Sequence, residues 1–182
     1  MKRHMIPLVI LTTTLLAPPL WAADGTMKFS GKLTENTCVL DAGSKNQTVA
    51  LGRQSTYAGI GGSMPHGNLI IKLNNCPMSS NKAYIRFEGT QAVGTSYSID
   101  KIFSFSNTGQ PGAAGNVGFI ISDGDFTNLI SVNGASRAYD LNTGAGAANQ
   151  LTFSVGYLNT DRVALRTPGN AVGNVQFSVV YP

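Results

Sequence analysis

The chain has 182 residues, of which 13 are Lys or Arg and 9 are Asp or Glu, giving a formal net charge of +4. The cationic residues are scattered and form no basic stripe interleaved with aromatic residues, which argues against nucleic acid as a partner. This length fits one domain with a sizeable hydrophobic core.

The first 22 residues have the pattern of an export signal. Lys2 and Arg3 begin it, an apolar run extends from residue 6 to residue 20, and Ala22 offers a small residue for cleavage. A retained N-terminal anchor is the alternative, but the run is short and is broken by two prolines. We predict a signal peptide at 1–22, which leaves 182 − 22 = 160 residues with a net charge of (13 − 2) − 9 = +2. The mature protein is then secreted or periplasmic.

An alternating segment follows the predicted cleavage point. Its apolar side consists of Met27, Phe29, Gly31 and Leu33, as in a strand with one buried face. Glycine inside a strand often marks a place where another backbone approaches closely. Periodicity leaves two interpretations open: the segment pairs with the last strand of its own domain, or it adds a strand to a neighbouring chain.

Two cysteines, Cys38 and Cys76, remain in the mature chain. In an oxidising compartment an isolated pair most simply forms one disulfide. The alternatives, two free thiols or half of a metal site, would need more ligands than the sequence offers, since His66 is the only histidine left after signal removal.

Strand patterns recur along the rest of the chain, and no long amphipathic helix is predicted. Glycine-rich turns separate the runs, which indicates an antiparallel β-sandwich. The run LTFSVGYL is expected to be buried on one face only. The predicted strands are 27–33, 48–51, 68–73, 83–87, 102–105, 117–121, 151–158 and 174–181.

The last of these strands ends the chain with an apolar face. Val175, Phe177, Val179 and Tyr181 alternate with more polar residues, and no charge or proline lies between the first and the last of them. Natural proteins usually protect such an edge against pairing with other chains. Some other strand is therefore expected to cover it.

No catalytic arrangement is predicted. His66 lies in SMPHGN and is interpreted as a solvated turn residue, and no second histidine is available as a base. Asp123 and Asp125 in SDGDF lack the ligand spacing of a calcium loop and are interpreted as a hairpin turn. We expect no enzymatic activity, no cofactor and no metal site.

Taken together, these features resemble the pilin subunits of chaperone-usher fimbriae of the type 1 kind. The resemblance covers the signal peptide, the alternating segment with its central Gly31, Cys38 followed by VLDAGSKNQTVALG, and Cys76 in IIKLNNC. It also covers Gly169, fourteenth from the C-terminus, and the penultimate Tyr181.

The resemblance implies an all-β fold, an incomplete immunoglobulin-like sandwich that lacks its last strand and is completed by a donor strand from another chain. Residues 23–35 would be the N-terminal donor-strand extension, and 36–182 the pilin domain. Met27, Phe29, Gly31 and Leu33 would face the groove of the neighbour. Val175, Phe177, Val179 and Tyr181 would border this subunit's own groove and pair with a periplasmic chaperone.

The function implied is that of a structural subunit of an adhesive fimbria on the bacterial surface. It would be exported through the periplasm, captured by the chaperone, and polymerised with neighbouring subunits by donor-strand exchange at an outer-membrane usher. The alternative is a minor, adaptor or receptor-binding subunit that contacts host glycan or protein through loops such as 58–68. One departure is Glu35, a charge at the next inward position, which suggests that the buried part of the donor strand ends near Leu33.

Overall fold

The strands form where apolar residues alternate along the chain. A computed structural model describes Lys28, Ser30 and residues 37–56, 66–124 and 126–182. Thr34–Pro182 constitute one compact unit, distinct from Met1–Leu33. The elements are β1 (Val39–Leu40), α1 (Ala42–Lys45), β2 (His66–Asn74), β3 (Lys82–Glu88), a 3₁₀ turn (Ile99–Lys101), β4 (Val117–Ser122), β5 (Tyr139–Asp140), β6 (Ala148–Asn159) and β7 (Gln176–Val180).

These strands make two antiparallel sheets. One has the order β1-β2-β6-β4 and the other the order β5-β3-β7. In the first sheet β2 pairs with β6 from His66 opposite Gly156 to Asn74 opposite Ala148. In the second, β3 pairs with β7 from Tyr84 opposite Val180 to Glu88 opposite Gln176.

The hydrophobic core contains the inward side chains of both sheets. Phe87 from β3 meets Phe153 from β6 edge to face, with ring centroids 5.1 Å apart. Aliphatic residues from the alternating runs fill the space around them, and the fully buried members of this core include Ile71, Leu73, Ile85 and Leu151.

Cys38 and Cys76 form a disulfide with an S–S distance of 2.05 Å. It lies beside the start of β1 and the end of β2, and we call this end of the sandwich the disulfide end. The opposite end, where β2 begins at His66, β3 ends at Glu88 and β6 ends at Asn159, is called the distal end.

Several predicted elements differ from the structure. Residues 48–51 and 102–105 are not strands, although Phe103 makes isolated bridges to Gln91 and Phe119. His66 is the exposed first residue of β2 and not a turn residue, and its ring meets that of Phe126. The predicted strand 27–33 lies outside the described residues except for Lys28 and Ser30.

The prediction that β6 is buried on one face only is wrong for its second half. Ser154 and Gly156, which point away from the main core, are buried as well. A second apolar cluster covers this outer face of the sheet, and it contains Ala92, Ile102 and Ile120 with Ile99, Phe126, Leu129 and Leu158 around them.

Candidate binding groove

The strand β7 is paired along one edge. Its partner there is β3, and among the described residues no strand pairs with its other edge. The alternation continues beyond the strand at both ends, because Val175, Phe177, Val179 and Tyr181 are half-buried and pack against the core. One face of the last strand therefore belongs to the core, while one of its backbone edges faces the gap beside the sandwich.

A groove of about 720 Å³ lies along this edge. One side is segment 45–52, which follows α1, and the other is segment 171–177, which leads into β7. Core side chains are accessible within it, so a strand laid in the groove would touch the hydrophobic interior directly. The apolar lining residues contributed by the rest of the sandwich are Leu69, Phe87, Phe105, Phe119, Ile121, Val155 and Tyr157.

Segment 45–52 is held against the edge of β2 by side chains instead of a strand ladder. The buried Ser44 hydroxyl accepts a hydrogen bond from the Lys72 N–H at 2.9 Å. The Gln47 amide donates to the Ile70 carbonyl at 2.6 Å, and the Asp41 N–H donates to the Lys72 carbonyl at 3.0 Å. These contacts satisfy the exposed backbone groups of β2, which an edge strand otherwise offers to another chain.

Segment 45–52 comes very close to the backbone of β2 at Gly67. A Cβ built at Gly67 would lie 2.3 Å from Cγ1 of Val49 and 3.2 Å from the Ala50 carbonyl oxygen. Val49 and Leu51 thereby reach the core from this side of the groove.

Segment 171–177 is fixed by a polar network on its outer side. Asn107 donates through its side-chain amide to the Asn170 carbonyl at 2.9 Å and accepts from the Val172 N–H at 3.1 Å. The Ser106 N–H donates to the Val172 carbonyl at 2.7 Å. Gly173 then faces the groove, where a Cβ would lie 2.5 Å from the Phe119 ring. Both sides of the groove are thus held in place without any strand between them.

An aromatic cluster lines the groove toward the distal end. The ring centroids of Phe105 and Phe119 are 5.3 Å apart, and those of Phe105 and Tyr157 are 5.8 Å apart. Burial raises the pKa of the Tyr157 hydroxyl, which stays neutral at physiological pH. This part of the groove suits an apolar side chain.

At the disulfide end the last tyrosine joins the C-terminal segment to the first cysteine. Burial raises the pKa of Tyr181, and a hydrogen bond from the Cys38 backbone N–H to its hydroxyl acts in the opposite direction. The residue therefore has an apolar ring against the core and a polar tip at the disulfide.

The structure brings together some of the predicted site residues. Val175 and Phe177 line the groove, and Val179 and Tyr181 continue the same face of β7 toward the disulfide end. Gly169 lies outside the groove, against the backbone of Ala113 and Ala114. The donor-strand residues Met27, Phe29, Gly31 and Leu33 lie outside the described residues.

Sequence reasoning missed one side of the groove and most of its interior. The alternation from Thr48 to Leu51 indicates a segment with one half-buried side, but it predicts a strand that the structure does not have there. Phe105, Phe119 and Tyr157 come from three separate parts of the chain, and only the fold shows that they adjoin one another.

The features weighed for chemistry have structural roles. Asp123 accepts from the Tyr139 hydroxyl at 2.5 Å and from the Arg137 N–H at 3.0 Å, whereas Asp125 lies outside the described residues. Within the described ranges, no three or more His, Cys, Asp or Glu residues are grouped so that they could hold a metal ion. No helix in that part of the chain has the length and hydrophobicity needed to cross a membrane.

Comparison with known proteins gives a consistent result. Residues 27–182 match the family model described as fimbrial protein. A probable major fimbrial subunit, LpfA, of Escherichia coli O157:H7 is 34% identical over 163 residues, covering 88% of this chain and 85% of that protein. The fimbrial subunit type 1 of Klebsiella pneumoniae is 31% identical, and the match covers 100% of both chains.

Solved structures place the fold in the same group. A subunit in a chaperone-usher pilus superimposes with a TM-score of 0.60 at 18% identity, covering 91% of this chain and all of that one. The fold is therefore the incomplete immunoglobulin-like sandwich of pilin subunits, as the family resemblance implied. On the family match and the sequence identities, the chain belongs to the fimbrial protein family.

Proposed function

We propose that this protein is a structural fimbrial subunit that polymerises by donor-strand exchange. The observation that carries the proposal is the groove beside β7, about 720 Å³ in volume and lined by core residues such as Phe87 and Val155. An added strand there would gain main-chain hydrogen bonds from the edge of β7 and would seat alternate side chains against the core. Chaperone–pilin complementation is itself one of the standard examples of such strand addition.

The donor is residues 23–35 of the neighbouring subunit. Neighbouring strands in an immunoglobulin-like sandwich are mostly antiparallel, as β3 and β7 are here. The donor strand would therefore run antiparallel to β7, with Met27 toward the disulfide end and Leu33 toward the distal end. Burial of Met27, Phe29 and Leu33 would contribute about 1.5–3 kcal/mol each.

The two alternating segments match in length. Met27 to Leu33 spans seven residues, and so does Val175 to Tyr181. In the antiparallel register that aligns these segments, Leu33 lies opposite Val175 and Gly31 lies opposite Phe177. The smallest donor residue then meets the bulkiest apolar residue of the groove edge, which supports this register.

Before assembly the groove needs another cover. A subunit exported with its groove open would expose an apolar surface and a free strand edge, both of which favour aggregation. A periplasmic chaperone that pairs with β7 would remove this hazard until the usher brings in the next donor strand. The mature fimbria would then lie on the bacterial surface.

The proposal is tested by moving one charge within the donor strand. Phe29→Asp puts a carboxylate on the side that faces the groove, whereas Ser30→Asp puts it on the opposite side. We expect Phe29→Asp, like deletion of residues 23–33, to abolish polymers in a fimbriation assay, and Ser30→Asp to leave them intact. Capture of either variant by the chaperone should be unchanged, because their own grooves are unaltered. Polymers of normal length from the deletion variant would refute donor-strand exchange.

A further inference from the structure

A second surface, with exposed apolar residues, lies at the distal end. Val93, Tyr97 and Val163 are 95%, 87% and 90% exposed, which makes them the most exposed large apolar residues in the described chain. Together with Arg162 we call them the distal patch. Its members come from two loops, 92–98 and 160–166, that the fold brings together.

These loops are tied to each other by several hydrogen bonds. The Thr95 hydroxyl donates to the Asp161 carboxylate at 3.0 Å and accepts from the Arg162 N–H at 3.2 Å. The Ser96 N–H donates to the Thr160 carbonyl at 3.0 Å. A Cβ at Gly94 would lie 2.0 Å from the same carbonyl oxygen, so the backbones are in direct contact.

The charged member of the patch is also fixed. The Arg162 guanidinium lies over the Tyr97 ring, 4.5 Å from its centroid. Asp161 accepts from the N–H groups of Val163 and Ala164, both at 2.9 Å, and these bonds lower the pKa of its carboxyl. Preorganised exposed aromatic and arginine residues of this kind are typical of the centre of a protein interface.

The distal patch lies at the end of the sandwich where the donor strand leaves the groove. Loop 160–166 follows directly on β6, whose last residue Asn159 pairs with Val117. The Thr160 N–H donates to the Asn116 carbonyl, and the Asn116 side chain donates to the Leu165 carbonyl. Segment 171–175, which lines the groove at this end, continues the same stretch of chain.

We infer that the distal patch packs against the body of the neighbouring subunit whose donor strand fills the groove. The inference rests on the proposed function, because it takes the donor strand as antiparallel to β7, with Leu33 at the distal end. Cys38, where the neighbour's domain is joined by its disulfide, is five positions after Leu33 in the chain. Five extended residues span at most about 17 Å. The neighbour's domain must therefore begin beside the distal end, and a second copy of this chain is the occupant that the patch faces.

The matched control is Met78, another exposed apolar residue, at 83%. It lies in the loop that joins β2 to β3 at the disulfide end, two residues after Cys76. A neighbour attached through an antiparallel donor strand would be far from Met78 of the subunit whose groove it fills. One attached through a strand parallel to β7 would lie beside Met78 and far from Val163.

The test uses purified two-subunit complexes of this chain, capped by the chaperone, in which only the accepting subunit, made without residues 23–33, carries a photo-crosslinking phenylalanine derivative at position 163 or position 78. Irradiation is followed by boiling in detergent, which separates subunits that are not covalently joined. We expect a covalent dimer from position 163 and none above background from position 78, with mass spectrometry identifying both partners as this chain. Both positions are highly exposed, so neither replacement should disturb folding.

The outcomes are distinguishable. A covalent dimer from position 78 alone, or from position 163 only in long polymers and not in two-subunit complexes, would overturn the inference and leave donor-strand exchange intact. If the two-subunit complex forms equally well when both subunits lack residues 23–33, the proposed function itself fails. A Val163→Asp variant gives a second readout: we expect normal donor exchange but loss of hydrogen-exchange protection of loops 92–98 and 160–166 in the two-subunit complex. Equal protection in both complexes would also contradict the contact.

Discussion

Some glycine residues mark places where this sandwich has no room for a side chain. Gly169 lies against backbone atoms, since a Cβ there would be 2.3 Å from the Ala113 carbonyl carbon and 2.4 Å from the Ala114 nitrogen. The adjacent Asn170 bridges to Ala113, so the two segments run side by side. The family resemblance pointed to Gly169 without a reason, and this close approach supplies one.

Gly169→Ala should destabilise the domain. The atoms in the way belong to the backbone and cannot rotate aside, so the segments must separate, at a cost of about 1–3 kcal/mol as in other overpacked sites. The measurement is the urea midpoint of the subunit purified with a peptide of residues 24–36 in its groove. Gly43→Ala is the control, because its Cβ would meet only a side-chain oxygen of Asp41 at 3.2 Å inside α1. Equal midpoints for the two variants would contradict the explanation.

Tyr139 is a residue whose ionisation is coupled to folding. Burial and then the hydrogen bond to Asp123 raise its pKa, while the nearby Arg137 acts in the opposite direction. Because the folded pKa is raised, the stabilisation is complete below the unfolded value of about 10 and is lost as the pH rises above it.

Tyr139→Phe should flatten the loss of stability at alkaline pH. The variant should lose about 1 kcal/mol at pH 7, where the hydrogen bond to Asp123 is intact in the wild type. The difference should shrink above pH 10, because the phenylalanine has no proton to lose. Tyr97→Phe at an exposed position is the control, and denaturant titrations at pH 7 and pH 11 provide the comparison. A gap that widens at pH 11 would show that the sign of the coupling is wrong.

Along β2 the protein closes one side of the groove without a strand. Ser44 and Gln47 replace the ladder that β1 would otherwise continue along β2. Segment 48–51 can then lie beside the sheet with Val49 and Leu51 turned toward the core. Side chains form the hydrogen bonds to the backbone N–H and C=O groups at this edge of β2, and the groove stays open.

Ser44→Ala should weaken this side of the groove. The Lys72 N–H would lose its acceptor in a partly buried place, which we expect to cost about 1 kcal/mol of unfolding free energy. Faster hydrogen exchange at Lys72 should accompany that loss, whereas the exposed Ser79→Ala should change neither quantity. An unchanged exchange rate at Lys72 would mean that water replaces the hydroxyl.

These elements also show what could be predicted from sequence. Long alternating runs such as 68–73 and 151–158 were predicted correctly as strands, because a two-residue period with one buried face specifies a strand directly. Segment 48–51 has the same alternation, but it is not a strand, and the contact with β2 next to it is made by the side chain of Gln47, which a two-residue period does not reveal. Phe103 likewise sits outside the strands: its N–H and carbonyl both bond to Phe119, while its bridge to Gln91 is made by the Ile102 carbonyl and the Ser104 N–H, and each pairing is an isolated bridge.

The same distinction applies to the groove. The face of β7 was predictable because Val175, Phe177, Val179 and Tyr181 alternate locally. Phe105, Phe119 and Tyr157 were not, since their proximity depends on pairing between residues far apart in the chain. A groove left by a missing strand shows in the sequence only through the alternating apolar residues of the strand that borders it.

At the scale of the whole molecule, the two ends of the sandwich have different surroundings. The disulfide end joins Cys38, Cys76 and Tyr181, which fixes the C-terminal segment to the start of the domain. The distal end has the aromatic part of the groove and the exposed distal patch. This polarity gives a polymer a direction, provided that the donor strand enters in one register.

The register is testable with a synthetic peptide of residues 24–36 and a subunit that lacks residues 23–33. If Gly31 lies opposite Phe177, Gly31→Leu in the peptide should weaken the binding free energy by about 1–3 kcal/mol, which is roughly a five- to hundredfold loss of affinity. Phe177→Ala in the subunit removes the opposing ring and should restore much of that loss, as a coupling between residues in contact. The affinity is read from the rise in thermal midpoint with peptide concentration.

Two further subunit variants decide the register. If the donor strand is shifted by two residues in either direction, Gly31 lies opposite Val179 or Val175, and Val179→Ala or Val175→Ala would rescue the Gly31→Leu peptide in place of Phe177→Ala. Additive effects at all three positions would place Gly31 away from β7 altogether. Rescue by Phe177→Ala alone fixes Leu33 opposite Val175, so that the chain beyond it, which includes Glu35, leaves the groove at the distal end.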